Sequence, residues 1–275
     1  FLEAVSQSAR FDVINHSWGK YPAYLRALEG IGAQDRALLD LWFDALDHGR
    51  AGLGTIQAKA AGNDNLNTNG DGANTSRSTI IVGAHDAGGD ASWYSSYGAN
   101  LLLSAPSSGN TAAGDPRQVT TDLVGGPGYA SGAWTSTANG FGGTSGATPL
   151  VTATVALMLD AAPTLGWRDI QTILAYSAHE LGSGVGGAPL PDENGEWFYN
   201  DARNWNGGGL HFSLDYGFGG LNAYNAVRMA EAWTLFGGPQ ASANEVSYTQ
   251  TTTLDGIAIE DFRTTDIHFR FGGPA

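Results

Sequence analysis

Three short stretches carry residue types that together could perform acyl transfer. Gly143-Thr144-Ser145-Gly146 sets a serine between small residues, just before an apolar run, with Pro149 four residues beyond it. A serine hydroxyl is a weak nucleophile until a base takes its proton. At a helix start it gains unpaired backbone N–H groups and the positive dipole end, both favourable to an oxyanion. Glycine neighbours let a substrate carbonyl approach closely. Ala60-Ala61-Gly62-Asn63 closes a second apolar run with a side-chain amide, a group able to donate to a developing oxyanion. Ser17-Trp18-Gly19 closes a third, where extended backbone could pair with a substrate strand. Each stretch also has a plainer reading: Ser145 as a helix cap, Asn63 as a turn residue, Trp18 as a core residue at a strand end.

The elements that must hold these groups follow from periodicity. Residues 35–49 place Leu38, Leu39, Leu41, Trp42 and Leu46 at helical spacing, with Gly49 as the expected C-cap. Helices are also predicted over 148–161, 167–178 and 219–233. Pro149 then falls in a first helical turn, where its missing N–H is not needed. Residues 11–14, 53–63, 78–86 and 101–109 read as strands. Strands alternating with helices through glycine loops predict an α/β fold with a mostly parallel sheet. Ligands of such sheets bind beyond the carboxyl ends of the strands, which singles out 17–19 and 60–63. From Gly237 the pattern changes. Residues 243–271 alternate without a helical period and read as the opening of a β-sandwich, reached by a linker at 236–244. The domains are therefore expected at 1–236 and 237–275. Phe1–Val5 resembles the inside of a helix, so a longer chain lacking its true N-terminus here is expected.

Composition narrows the function classes. The 275 residues carry 40 glycines, no cysteine and a net charge of −14. Redox chemistry and disulfides are excluded. The acidic surface repels phosphate backbones, so no nucleic-acid partner is expected. It suits a salty exterior, a cationic partner, calcium or simply solubility. No apolar run reaches the ~18 residues of a membrane span.

The order of the motifs is more specific than any one of them. Ser17-Trp18-Gly19, Gly52-Leu53-Gly54 leading to Ala60-Ala61-Gly62-Asn63, and Gly143-Thr144-Ser145 before Pro149 occur in sequence. So do Trp93-Tyr94-Ser95-Ser96-Tyr97-Gly98, and the segments 118–123, 167–171 and 215–233. Together they resemble the subtilisin-like serine proteases, peptidase family S8, in their kexin/furin branch, over roughly 1–236. The resemblance implies a three-layer subtilisin-like fold followed by the start of a P-domain-like sandwich. It implies a Ser–His–Asp endopeptidase acting on protein or peptide substrates as a monomer. Ser145 would be the nucleophile and Asn63 the oxyanion donor. Ser17, Trp18, Gly19, Ala60, Ala61, Gly62 and Thr144 would bind substrate. Asp71, in Asp71-Gly72, matches a pocket aspartate of the branch and implies a preference for a basic P1 side chain.

Two departures matter. The family's Asp and His precede the Ser-Trp-Gly strand. None of His16, His48, His85, His179, His211 and His268 has a His-Gly-Thr setting. No triad Asp or His is therefore assigned, and these residues alone are expected to be inactive. The resemblance also implies structural Ca2+. Yet Ser96 stands where the branch has a calcium-binding glutamate, and Lys20-Tyr21-Pro22 replaces an acidic stretch, so the metal ligands are not assigned. The acidic, cysteine-free composition suggests a secreted, bacterial-type enzyme. The alternatives are an inactive subtilase-fold module and a calcium-dependent adhesion module, for which no repeated Asp-rich ligand run is present.

Overall fold

The computed structural model describes residues 1–19, 33–199 and 210–246. Phe1–Glu245 form one compact unit, and Val246–Ala275 a second that lies outside the described residues apart from Val246. The proposed sandwich strands, His268 and Lys20-Tyr21-Pro22 also fall outside them.

Four parallel strands form the sheet: β1 (Val13–His16), β2 (Ile56–Ala60), β3 (Ile80–His85) and β4 (Leu101–Pro106), in that spatial order. Every residue of β2 and β3 is buried, as a parallel sheet covered on both faces requires. Alternation sets the layers. Ile56, Ala58, Ile80, Val82, Ala84, Leu103 and Ala105 share one core with Val151, Val155 and Met158 of α3 (Thr144–Ala161). Gln57 points the other way and donates from Nε2 to the Trp42 carbonyl of α2 (Ala33–His48) at 3.2 Å. A short α1 (Leu2–Val5) precedes β1 and packs against α2. The helices α4 (Trp167–Ser177) and α5 (Ala223–Trp233) complete the layer beside α3, with Ala226 and Ala230 fully buried where α5 meets it.

Four expectations need correction. The third helix begins at Thr144 rather than 148, so Pro149 lies in its interior. Gly49 does not supply a left-handed cap: Arg50 and Ala51 adopt that conformation, at φ 51° and 56°. Gly49 is instead required for space, because a side chain there would run into Thr55. The last helix starts at Ala223, with Asn222 Oδ1 accepting from the Asn225 N–H at 2.9 Å. Gly220 before it pairs with His179, and the Gly219 carbonyl accepts from the Ser104 N–H. Lastly, the expected linker at 236–244 is not free. Buried Asp169 of α4 accepts from the Gln240 N–H at 2.8 Å and from Trp233 Nε1 at 2.8 Å, which joins the segment to α4 and α5. A small antiparallel pair, β5 (Phe198–Tyr199) and β6 (His211–Phe212), was not anticipated.

Met158 is fully buried between α3 and the sheet. Met158→Ala is expected to cost about 2–5 kcal/mol of unfolding free energy, measured by denaturant titration.

Two buried histidines add an acid limit. His16 closes β1, with Nδ1 accepting from Trp18 Nε1 at 3.2 Å and Nε2 facing Gln57 Oε1 at 3.2 Å. His85 closes β3, with Nδ1 3.0 Å from Ser104 Oγ. Burial pulls both down from an ordinary 6.5 to about 4. The unfolded chain therefore binds these protons first, and stability is full above pH 6.5 and falls as pH drops toward 4. Thermal unfolding across that window should show the loss, and His85→Gln should make its slope shallower.

Candidate active site

The first turn of α3 departs from an ordinary helix start. Gly143, at φ 76°, turns the chain into the helix in a conformation open to glycine. Thr144 follows, wholly buried, and its backbone N–H donates to Asn63 Oδ1 at 2.8 Å. The Thr144 hydroxyl donates to the same oxygen at 2.9 Å and accepts from the Gly62 N–H at 3.1 Å. Two donors on one amide oxygen settle which end of the Asn63 amide is which. The carbonyl end is held against the helix start. Nδ2 is left as a donor beside Gly143, where a Cβ would lie 2.9 Å from it.

Ser145 comes next and is half-buried. Its N–H is in the first turn and has no acceptor among the described residues. Its carbonyl would ordinarily accept from the N–H of residue 149, which proline lacks. Ser17 fills that gap: its hydroxyl donates to the Ser145 carbonyl at 2.9 Å. Asn15 Nδ2 in turn donates to Ser17 Oγ at 2.9 Å. The Ser145 hydroxyl makes one long contact, to the Ser17 carbonyl at 3.5 Å. It is therefore nearly free.

These groups surround a cavity of about 330 Å³ beyond the carboxyl ends of β1 and β2. All ten residues singled out from the sequence line it: Ser17, Trp18, Gly19, Ala60, Ala61, Gly62, Asn63, Asp71, Thr144 and Ser145. A larger cleft of about 610 Å³ beside the start of α3 contains neither Ser145 nor Asn63. Asp71 is half-buried, and its Oδ1 accepts from the Ala73 N–H at 2.9 Å, closing its own turn. Sequence reasoning missed Lys59, Asp64, Thr68 and Asn74 in the lining. The signal for Lys59 was available: a lysine flanked by alanines inside a strand that is buried throughout.

The calcium expectation can be tested on the donor set. Ser96 Oγ accepts from the Asp64 and Leu66 N–H groups, at 3.4 and 3.5 Å. It is a neutral oxygen already engaged, and Lys59 lines the same cavity. These residues do not fit a calcium ion. Among the described residues no group of three acidic or histidine side chains fits one either.

No described histidine meets the Ser145 hydroxyl. His16 is committed to Gln57 and Trp18, and His85 to Ser104.

The Subtilase family profile, peptidase S8, matches residues 2–219. The "Dibasic-processing endoprotease" of Schizosaccharomyces pombe is 36% identical over 191 residues, 68% of this chain and 23% of that protein. Human "Proprotein convertase subtilisin/kexin type 4" is 32% identical over 232 residues, 82% of this chain and 26% of that protein. The chain thus spans about a quarter of the length of these relatives. Among solved structures, the Aeromonas sobria serine protease in complex with its chaperone superposes with a TM-score of 0.65. It is 25% identical, over 83% of this chain and 45% of that one. Fervidolysin of Fervidobacterium pennivorans, at 19% identity and a TM-score of 0.52 over 82% of this chain and 28% of that one, shares the fold. A parallel sheet whose strand ends meet a helix-borne serine, together with the match over residues 2–219, places the chain in the subtilase family of serine proteases.

Proposed function

We propose that the protein is a serine endopeptidase in which Ser145 is the nucleophile and Asn63 the oxyanion donor. The observation that carries this reading is the Asn63 amide, turned by Thr144 so that Nδ2 remains a donor beside a nearly free serine hydroxyl. A base takes the Ser145 Oγ proton as the oxygen bonds to the substrate carbonyl carbon. The carbonyl oxygen becomes negative and accepts from Asn63 Nδ2 and the Ser145 N–H. The C–N bond then breaks, the amine leaves with the proton, and water hydrolyses the resulting ester. Thr144 positions Asn63, and Ser17 fixes the Ser145 backbone.

The base and its orienting aspartate come, in this reading, from polypeptide outside these 275 residues. Support comes from the commitments of His16 and His85 and from the share of the relatives that the chain spans. Asp71 in the cavity lining supports a finer preference for a basic P1 side chain. Subtilases generally bind structural calcium. An ion bound in the whole protein, away from Ser96, belongs to this proposal, as do a monomeric state and secretion from a bacterial-type cell. Relatives in the family are mostly secreted or secretory-pathway proteins, and no described helix is long and apolar enough to cross a membrane.

In the full-length protein, Ser145→Ala should abolish hydrolysis of a casein substrate. Asn63→Ala should lower kcat by about 10²–10³-fold with KM little changed, the loss known for the oxyanion asparagine of subtilisin, a family member. Retained turnover in Ser145→Ala would exclude the mechanism, and the absence of any casein cleavage by the native protein would favour an inactive module.

Asp71→Asn should lower kcat/KM for an Arg-P1 peptide about tenfold relative to a Leu-P1 peptide. An unchanged ratio would remove Asp71 from specificity.

A further inference from the structure

Trp93-Tyr94-Ser95-Ser96-Tyr97-Gly98 belongs to the ordered motifs, yet no step of the reaction uses it. In the fold it follows β3 and runs alongside the loop that carries Asn63. The Tyr94 carbonyl accepts from the Asn65 N–H at 2.9 Å, and the Ser96 N–H donates to the Gly62 carbonyl at 3.0 Å. Gly62 and Asn65 lie on either side of Asn63, so its loop is held at both ends.

The Tyr94 side chain reaches the other half of the site. It is buried, and its hydroxyl accepts from the Gly143 N–H at 3.1 Å and donates to the Ser108 carbonyl at 2.8 Å. Ser107, just past β4, holds the opposite end of the same glycine: its hydroxyl donates to the Gly143 carbonyl at 2.7 Å. A side chain at Gly142 would run into Ser108, so the turn lies flush against this loop. Gly143 has no side chain by which it could be fixed, and glycine moves freely about its φ of 76°. Two hydroxyls, one on its N–H and one on its carbonyl, supply the missing restraint.

We infer that Tyr94 and Ser107 are positioning residues for the oxyanion site, acting through Gly143. Tyr94 is the strut. Its backbone holds the loop of Asn63, and its hydroxyl holds the turn that opens α3. The ring between them sets how far Asn63 Nδ2 stands from the Ser145 N–H. The oxyanion forms between those two donors, and small misplacement there weakens the transition state more than the bound substrate. Neither Tyr94 nor Ser107 lines the cavity, so substrate binding does not depend on them directly. This inference rests on the endopeptidase reading of the same site.

The test compares the full-length protein with its Tyr94→Phe, Asn63→Ala and doubly substituted variants, each checked for folding by thermal unfolding. Tyr94→Phe should lower kcat for casein about tenfold and leave KM unchanged. In the Asn63→Ala background the same change should cost about twofold or less, because the donor it aims is gone. An unchanged kcat, a loss carried by KM, or an equal factor in both backgrounds would overturn the assignment. Hydrogen exchange of the segment holding Gly143, followed by mass spectrometry, tests the clamp without turnover. Tyr94→Phe should speed that exchange about tenfold. Unchanged exchange would overturn the clamp whatever the activity. Should Tyr94→Phe fail to fold, Ser107→Ala frees the Gly143 carbonyl and meets the same readouts. Should the native protein cleave nothing, the endopeptidase reading fails, and exchange alone decides whether the two hydroxyls fix the start of α3.

Discussion

The hydrogen bond from the Thr144 N–H to Asn63 Oδ1 joins the two halves of the site. The residues are 81 positions apart in sequence, one just past β2 and the other opening α3. Helix N–H groups in the first turn have no partner within the helix. An amide oxygen supplied from a neighbouring strand end satisfies one of them. That bond also fixes the orientation of the amide, because an oxygen turned toward a donor leaves nitrogen turned away. One contact therefore caps a helix, closes a strand end against it and aims a donor. The Thr144 hydroxyl reinforces it by spanning Gly62 and Asn63. Removing that hydroxyl would leave the Gly62 N–H without its acceptor.

A second constraint comes from Pro149. A proline inside a helix removes one hydrogen bond and crowds the preceding turn, at a cost of about 3 kcal/mol when nothing compensates. Here compensation comes from outside the helix, through Ser17 Oγ on the Ser145 carbonyl. The gap in the helix ladder thus becomes a tie between α3 and the end of β1. Thr152 extends the same tie, with its hydroxyl reaching Asn15 Oδ1 at 3.2 Å. Ser145 is consequently held by its backbone while its side chain stays almost unbonded. A nucleophile needs that combination, since a fixed position aids attack and a committed hydroxyl would not.

The strands and the existence of the helices were legible from local pattern, as were the strand-end motifs, while Asp71 and Thr144 followed from the family resemblance. Apolar runs mark the buried strands, and the motifs sit at strand ends, where a parallel sheet collects its ligands. What escaped was set by contacts between distant segments. Pro149 reads as a first-turn residue until Ser17 is seen to supply the missing donor. Gly49 reads as a cap until Thr55 is found against it. Residues 236–244 read as a linker because no local feature announces the buried carboxylate of Asp169 that binds Gln240. Lys59 sits in an apolar strand, but nothing local tells what holds its amine. Asn74, from a loop 15 residues on, shows an amine held inside.

His16 shows why the serine is not activated by the histidine that precedes Ser17. It immediately precedes Ser17, whose carbonyl touches the Ser145 hydroxyl. Both of its ring nitrogens are engaged, one by Trp18 and one by Gln57. Turning the ring toward Ser145 would strand those partners in a buried setting, at about 1–3 kcal/mol for each unsatisfied group. Burial also holds its pKa at about 4, too low for a base that must accept a proton near neutrality. The feature that makes His16 a good core residue, a neutral ring bonded at both ends, is what disqualifies it as a catalyst. A base for Ser145 needs an exposed edge and one free nitrogen, and His16, although it ends β1, has neither.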